Sequence, residues 1–190
     1  MQTQASYNQR VGADEKYLSC VECAFFAIEA KPSLMLVYLV RHATAQDRTL
    51  GVPDPSRHLV EKGIKQTLKL ADFCKRQLQA PQLLLTSPLV RAEQTAVVLH
   101  QHTHWPEPQK QAWLIIDTLP EIQHKALIDL LKQGVESVCC IGHEPDISTL
   151  LALLLNSEAE HFFIKKASIT ALELTPDQAV LLWSLPVALL

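Results

Sequence analysis

The stretch MLVYLVRHATAQD, residues 35–47, decides the fold of this chain. Its first half is a continuous apolar run whose length predicts a buried strand, and Arg41 and His42 follow it directly. A run that does not alternate with polar residues is typical of a strand covered on both faces, as in a parallel sheet. Ligands of open parallel sheets bind at the carboxyl ends of the strands, so Arg41 and His42 indicate a site at that edge.

From Met35 onward, apolar runs alternate with segments of helical period. The predicted strands are 35–40, 82–86, 112–116, 137–141, 169–174 and 179–184, and the predicted helices are 60–79, 88–103, 123–133 and 145–155. Ser87-Pro88 and Pro145 are typical helix starts, and Gly134 is a typical helix end. A turn at residues 175–177 should join the last two strands as a hairpin. The pattern predicts an α/β three-layer sandwich with a mostly parallel central sheet and helices on both faces.

The composition predicts one globular domain in the cytoplasm. The chain has 190 residues, a formal net charge of −3 and scattered basic residues without a Lys/Arg run, so we expect no nucleic-acid partner. Its apolar runs are too short to cross a membrane. We also expect the protein to be a monomer. Cys74 and the pair at 139–140 lie in apolar patterns that indicate reduced, buried thiols. Cys20 and Cys23 have CxxC spacing without a second pair, so we interpret them as ordinary thiols.

Residues 1–34 differ from the remainder of the chain. They begin polar, show no alternation of strands and helices, and end just before the first strand. The apolar segment 18–30 contains Glu22 and Glu29, which argues against a signal peptide. We therefore predict an N-terminal extension over residues 1–34, poorly ordered, and a functional domain over residues 35–190.

Two further predicted strands also end at polar residues. Strand 82–86 is followed by Ser87, with Arg91 one helical turn later, and strand 137–141 is followed by Gly142 and His143. Because the carboxyl ends of parallel strands share one edge, a set that we call the basic cluster should converge there. It consists of Arg41, His42, Arg91 and His143. Guanidinium groups bind phosphate bidentately, and histidine can attack phosphorus, so the cluster predicts phosphoryl chemistry.

Three segments resemble the histidine phosphatase superfamily, which has a phosphoglycerate-mutase-like fold. They are LVRHATA at 39–45, TSPLVRAEQT at 86–95 and IGHEP at 141–145, in the order of that family's signature segments. The resemblance is greatest to the small SixA-type branch of phosphohistidine phosphatases. It implies that His42 is the nucleophile and becomes phosphohistidine, while Arg41, Arg91 and His143 hold the phosphoryl oxygens. The arginines would neutralise the phosphoryl charge, so we expect no metal and no cofactor.

The resemblance also suggests further site residues. Arg57, in SRHLVEKG at 56–63, matches an arginine of the SixA-type branch that would contact phosphate, and Ser87 is a second candidate substrate contact. Glu121 fits loosely the position at which many superfamily members carry a proton donor, and Asp117 is an alternative nearby. His100, His102 and His104 alternate along a predicted helix and do not share a face, which argues against a metal site.

Several substrates and activities stay open. A phosphohistidine on a histidine-phosphotransfer domain is the first candidate, because the short intervals between the motifs leave no room for lid insertions. A small phosphomonoester is the alternative substrate. A mutase of the same superfamily would require a bisphosphate activator. A non-catalytic phosphate-binding module is disfavoured, because every residue of the basic cluster is present.

Overall fold

The computed structural model describes residues 34–48, 51 and 53–190. The predicted extension over residues 1–34, including Cys20, Cys23 and the apolar segment 18–30, lies outside the described residues apart from Leu34. None of the helices within the described residues is both long and apolar enough to cross a membrane.

Strands and helices alternate along the described chain. The strands are β1 (Met35–Arg41), β2 (Leu83–Thr86), β3 (Pro108–Lys110), β4 (Ser137–Gly142), β5 (Ile169–Leu174) and β6 (Ala179–Leu185). The α-helices are α1 (Glu61–Gln77), α2 (Val90–Thr103), α3 (Pro120–Lys132) and α4 (Asp146–Leu155). Short 3-10 helices occur at Asp54–Ser56, Ala112–Leu114, Ala159–His161 and Val187–Leu189.

One six-stranded sheet forms the middle layer, in the order β3-β2-β4-β1-β5-β6. The first four strands of that order run parallel, and β5 and β6 pair antiparallel. The predicted mostly parallel sheet and the predicted hairpin are therefore confirmed. The N–H of Thr175 donates to the carbonyl oxygen of Gln178 at 2.9 Å and closes the hairpin turn.

Two hydrophobic cores lie on opposite faces of the sheet. In β1, Tyr38 and Val40 belong to the first core, whereas Val37 and Leu39 belong to the second. Successive side chains of a strand point to opposite faces, so β1 is covered on both sides. Helices α1 and α2 complete the first core, and α3 and α4 complete the second. The predicted three-layer sandwich is thus confirmed.

The strand predicted over 112–116 is wrong. Ala112–Leu114 form a 3-10 helix, and Leu114 is buried in the second core with Leu127 of α3. The strand that pairs with β2 is β3, the polar segment Pro108–Lys110. An edge strand pairs on one side only, so it needs little apolar surface, and its sequence carries little signal.

Helix α2 begins at Val90 and not at Pro88, so the prediction that Ser87-Pro88 starts this helix is wrong. No side chain caps this helix. The hydroxyl oxygen of Ser87 instead accepts from the N–H of Leu89 at 3.3 Å and lies 2.8 Å from Nε2 of His143. Ser87 therefore connects the end of β2 with the end of β4 and does not cap α2.

Helices α3 and α4 also start at different residues from those predicted. Helix α3 begins at Pro120, so Glu121 lies in its first turn rather than in a preceding loop. Helix α4 begins at Asp146, with Pro145 just before it. Gly134 follows the end of α3 as predicted, with a φ of 83° that favours glycine.

Gly63 allows α1 to pack against the segment that follows β1. A Cβ at this position would overlap the carbonyl oxygen of Thr44 and lie 2.9 Å from its carbonyl carbon. Thr44 is held in place, because its carbonyl accepts from Val60 N–H at 3.1 Å and its own N–H donates to Gln66 at 3.1 Å. The glycine of the SRHLVEKG segment therefore keeps the residues next to His42 against α1.

We expect Gly63→Ala to lower the melting temperature. Alanine favours a helix interior over glycine by about 1 kcal/mol, but overpacking against a held backbone costs roughly 1–3 kcal/mol. Thermal unfolding followed by circular dichroism measures the balance, with Lys62→Ala on the exposed side of the same helix as control. A melting temperature equal to or above that of the wild type would show that Thr44 moves away at little cost.

Candidate active site

The basic cluster lies at the carboxyl ends of β1, β2 and β4. Arg41 of β1 pairs with Gly142 of β4, and these are the last residues of two adjacent strands. His42 and His143 directly follow them and therefore lie side by side. The centroids of these two imidazole rings are 5.1 Å apart. Arg91 reaches the same place from the first turn of α2. The structure thus brings all four residues together, while their catalytic roles stay predictions.

His42 is held with an unprotonated Nε2. Its Nδ1 lies 2.7 Å from the carbonyl oxygen of Ala43, which can only accept, so Nδ1 carries the proton. Nε2 then accepts from the Nε–H of Arg91 at 3.2 Å. Burial lowers the pKa of His42 to about 3; the hydrogen bond to Ala43 opposes this, and the charges of Arg91 and Arg41 add to it. At neutral pH the imidazole is uncharged, and Nε2 has a lone pair for nucleophilic attack.

Hydrogen bonds from β4, from α2 and from the loop before β5 fix the backbone at His42 and Ala43. Its N–H donates to Gly142 O at 3.1 Å, and its carbonyl accepts from Ala167 N–H at 3.3 Å. The N–H of Ala43 donates to the hydroxyl oxygen of Thr95 at 3.2 Å. Thr95 is the last residue of the RAEQT segment, so α2 supports the nucleophile as well as supplying Arg91.

Arg91 is almost completely buried, with 1% of its surface exposed. Its Nη1 donates to the backbone carbonyl of Asp54 at 2.8 Å, and its Nη2 forms an ion pair with Oδ2 of Asp54 at 3.0 Å. Burial lowers the pKa of Arg91 and the Asp54 carboxylate opposes that shift, so the guanidinium stays charged.

His143 is oriented by Ser87. Nε2 of His143 lies 2.8 Å from the Ser87 hydroxyl oxygen, which already accepts from Leu89 N–H and so can donate its own hydrogen to Nε2. When the Ser87 hydroxyl donates to Nε2, the imidazole proton lies on Nδ1, a buried atom without a hydrogen-bond partner among the described residues. Burial, followed by the neighbouring His42 ring and the charge of Arg91, lowers the pKa of His143 to about 2. His143 is therefore a neutral donor, while the predicted contact of Ser87 with substrate stays a prediction.

Arg41 holds a free donor in the same region. Its Nη1 donates to the carbonyl oxygen of Ile164 at 2.7 Å, while its buried Nε has no partner within the described part of the chain. Burial lowers the pKa of Arg41, and the Glu144 carboxylate opposes that shift. Buried donors without partners are rare in folded proteins, and a phosphoryl oxygen would satisfy them.

Arg57 contacts a residue that the sequence did not reveal as part of the site. Its Nε and Nη2 donate to Oδ1 of Asp54 at 3.0 and 2.7 Å, and its Nη1 donates to Gln46 O at 2.7 Å. A direct contact between Arg57 and phosphate stays a prediction. Asp54 also pairs with Nε of Arg48 at 3.2 Å. The spacing of three residues between Asp54 and Arg57 is a local signal for this ion pair, but it does not indicate the contact of Asp54 with Arg91.

A cavity of about 510 Å³ adjoins the arginine-bound Asp54. Apolar and charged side chains line it together: Arg48, Asp54, Pro55, Leu89, Ile115, Ile116 and Asp117. The lining includes Asp117 but not Glu121. The N–H of Asp117 donates to Oδ1 of the buried Asp146 at 3.3 Å, which holds this strained residue, with a φ of 67°, beside the cavity. Of the two candidate proton donors, Asp117 is the one at the cavity.

The described residues contain no group of three or more His, Cys, Asp or Glu side chains that could hold a metal ion. Nδ1 of His100 lies 2.7 Å from the carbonyl oxygen of Trp105, and His104 follows the end of α2 in a left-handed conformation. His100 and His104 therefore belong to the carboxyl end of α2.

Residues 37–125 match the family model of the histidine phosphatase superfamily (branch 1). An uncharacterised protein of Picosynechococcus sp. (strain ATCC 27264 / PCC 7002 / PR-6) is 30% identical over 143 residues, which cover 73% of this chain and 84% of that protein. The chain belongs to the histidine phosphatase superfamily. The predicted resemblance to this superfamily is thereby confirmed, and the match to the family model contains two of the three signature segments, those at 39–45 and 86–95.

Solved structures of this superfamily share the fold. The protein histidine phosphatase SixA in complex with tungstate has a TM-score of 0.75 at 24% identity, over 81% of this chain and 98% of that chain. A phosphoserine phosphatase from Entamoeba histolytica in complex with phosphoserine has a TM-score of 0.65 at 17% identity, over 80% and 98%. Solved structures with this fold thus include one named for a protein substrate and one named for a small phosphomonoester.

Proposed function

We propose that this protein is a phosphatase in which His42 is transiently phosphorylated, and that its substrate is a phosphohistidine displayed on another protein. The observation that carries the proposal is the unprotonated Nε2 of His42, buried among Arg41, Arg91 and His143. The resemblance to the SixA-type branch supports the choice of substrate.

In the first step, Nε2 of His42 attacks phosphorus. A P–N bond forms at Nε2, and the bond between phosphorus and the substrate's imidazole nitrogen breaks. Arg91 must release Nε2 as the phosphoryl group enters, and its Nε–H is then free to bind a phosphoryl oxygen. The unpartnered Nε–H of Arg41 and Nδ1–H of His143 supply further donors for the charge on these oxygens.

In the second step, water attacks the phosphorus of phosphorylated His42. The P–N bond breaks, inorganic phosphate leaves, and the electron pair returns to Nε2. Nδ1 keeps its proton throughout, because it remains hydrogen-bonded to the carbonyl of Ala43. The phosphorylated ring is cationic, and this charge makes neutral imidazole a good leaving group for hydrolysis.

The carboxylate of Asp117 is the group best placed to act beside the leaving group. It lines the cavity that adjoins Asp54, and within the described residues it makes no side-chain hydrogen bond or ion pair. A protonated Asp117 could deliver a proton to an alkoxide that leaves. An imidazole leaving group takes a proton from water more easily and needs this help less.

We expect Asp117→Asn to slow the hydrolysis of an alkyl phosphate by about 10²-fold and the hydrolysis of phosphohistidine by less than about tenfold. Glu121→Gln is the matched control, because Glu121 lies in the first turn of α3 and away from the cavity lining. Single-turnover rates of both variants on both substrates give the comparison. A larger loss for Glu121→Gln than for Asp117→Asn would return the acid role to Glu121.

A small phosphomonoester is the second candidate substrate, because a cavity of about 510 Å³ can hold a ligand of that size. The deciding experiment compares kcat/KM for a panel of phosphorylated histidine-phosphotransfer proteins with that for a panel of small phosphomonoesters. Higher values for the proteins support the proposal, and higher values for one small ester would replace it. Dependence on a bisphosphate activator would indicate a mutase.

A further inference from the structure

One carboxylate connects three arginines at the edge of the basic cluster. Oδ1 of Asp54 lies 2.7 Å from Nη2 of Arg57 and 3.2 Å from Nε of Arg48, and Oδ2 lies 3.0 Å from Nη2 of Arg91. Arg48 lies in the loop after β1, Arg57 follows the 3-10 helix that begins at Asp54, and Arg91 lies in the first turn of α2. Asp54 thus joins separate parts of the chain at the site.

Asp54 determines the orientation of the Arg91 guanidinium. Two of its three nitrogens contact Asp54, Nη1 at the backbone carbonyl and Nη2 at the carboxylate, and the third, Nε, faces Nε2 of His42. The guanidinium is planar, so the contacts of Nη1 and Nη2 with Asp54 also fix the direction in which Nε–H points. The side of Arg91 that faces the nucleophile is therefore aligned by Asp54.

Asp54 also docks the loop that carries Arg57. This loop is closed at its base by the N–H of Gln46, which donates to the carbonyl of His58 at 2.9 Å, and by bridging of Ala45 with Leu59. Asp54 lies between these ends and holds the loop against α2 through Arg91. Without that ion pair, the loop would keep its base and the backbone contact of Asp54 with Arg91, but it would lose its charged attachment to α2.

The charge of Asp54 offsets repulsion among the arginines. Three guanidinium groups within reach of one carboxylate would repel each other without it. Burial alone would raise the pKa of Asp54, but the hydrogen bond from Arg57 and the charges of Arg91, Arg57 and Arg48 outweigh burial and hold the pKa below its ordinary value. The carboxylate is therefore ionised at neutral pH.

We propose that Asp54 is a positioning residue that aligns Arg91 for phosphoryl binding and holds Arg57 beside it. The inference rests on the proposed phosphatase function, because that function assigns the phosphoryl group to Arg91. Asp54 acts through the arginines and does not itself contact the reacting atoms.

The test measures kcat, KM and the dissociation constant of orthovanadate, with p-nitrophenyl phosphate as the substrate. We expect Asp54→Ala to lower kcat/KM by about 10²-fold, the cost of misplacing a group at the reacting centre. It should weaken orthovanadate binding by about tenfold. Asp54→Asn retains an oxygen acceptor in the same place and should recover part of both losses.

A double-mutant comparison separates positioning from a general loss of structure. In an Arg91→Ala background, adding Asp54→Ala should lower kcat/KM by less than about fivefold, because residues that act as a unit are not additive. Asp129→Ala is the matched control, since this carboxylate is ion-paired with Lys125 on the exposed face of α3. The control should behave like the wild type in every measurement.

Three results would overturn the inference while leaving the phosphatase proposal intact. They are wild-type kinetics for Asp54→Ala, full additivity with Arg91→Ala, or tighter orthovanadate binding by Asp54→Ala. The third would show that Asp54 competes with the phosphoryl group instead of preparing its site. A wild-type protein that neither hydrolyses the substrate nor binds orthovanadate would overturn the proposed function and this inference together.

Discussion

The variant His42→Ala is expected to lose turnover by at least about 10³-fold on every phosphorylated substrate, because it lacks the atom that bonds to phosphorus. The donors that bind phosphoryl oxygens do not depend on the imidazole. Arg91 keeps both contacts with Asp54, and Arg41 keeps its contact with Ile164. Orthovanadate should therefore still bind to this variant, within about tenfold of the wild-type affinity.

Single-turnover kinetics and trapping of the intermediate test this expectation. Quenched wild-type protein should carry an acid-labile, base-stable phosphoryl label that His42→Ala lacks. His102→Ala, at an exposed position of α2, is the control and should retain both label and turnover. Full activity of His42→Ala would show that nucleophilic catalysis by His42 is wrong.

The second large effect is expected for Arg91→Ala, in both binding and turnover. This substitution removes a phosphoryl contact, the N–H that faces Nε2 of His42 and the partner that docks Asp54. Loss of a charged contact in a site that excludes water costs roughly 2–4 kcal/mol, which corresponds to a loss in kcat/KM of about 30-fold to about 10³-fold. Orthovanadate affinity should fall as well, unlike in His42→Ala.

Two further variants make the Arg91 result specific. Arg91→Lys retains the charge but not the planar fork, so it should recover only part of the loss. Arg76→Ala removes an exposed arginine of α1 and should leave kcat/KM unchanged. An Arg91→Ala variant that binds orthovanadate as tightly as the wild type would exclude Arg91 from the phosphoryl site.

The basic cluster could be predicted from sequence because its residues follow elements with strong local patterns. The apolar runs before His42 and His143 identify β1 and β4, and parallel pairing then brings the strand ends together. Arg91 could be placed in the same way, since the segment after β2 reads as a helix start.

Asp54 could not be recognised in this manner. It lies in a loop between β1 and α1, and its partner Arg91 is far away in the sequence. Propensity and periodicity describe neighbours along the chain, whereas an ion pair between a loop and a helix depends on how the loop folds back. The same limit applies to Asp117, whose place beside the cavity depends on a hydrogen bond to Asp146 in α4.

The edge strand β3 illustrates a different limit. The apolar segment 112–116 has the composition of a strand, yet Leu114 is buried in the core beside α3, and the polar segment Pro108–Lys110 pairs with β2. Backbone hydrogen bonds form this pairing, and side chains contribute little to it at an edge. The choice between the two segments was made by packing in three dimensions.

The amino-acid sequence by itself determined the layered sheet and the four residues of the basic cluster. Both follow from short-range patterns, in which buried strands are apolar and polar residues mark their ends. Only the tertiary structure decided the protonated nitrogen of His42, the link between Ser87 and His143 and the three arginines around Asp54. Hydrogen bonds and ion pairs require atoms placed to within a few tenths of an ångström, and long-range packing provides that precision.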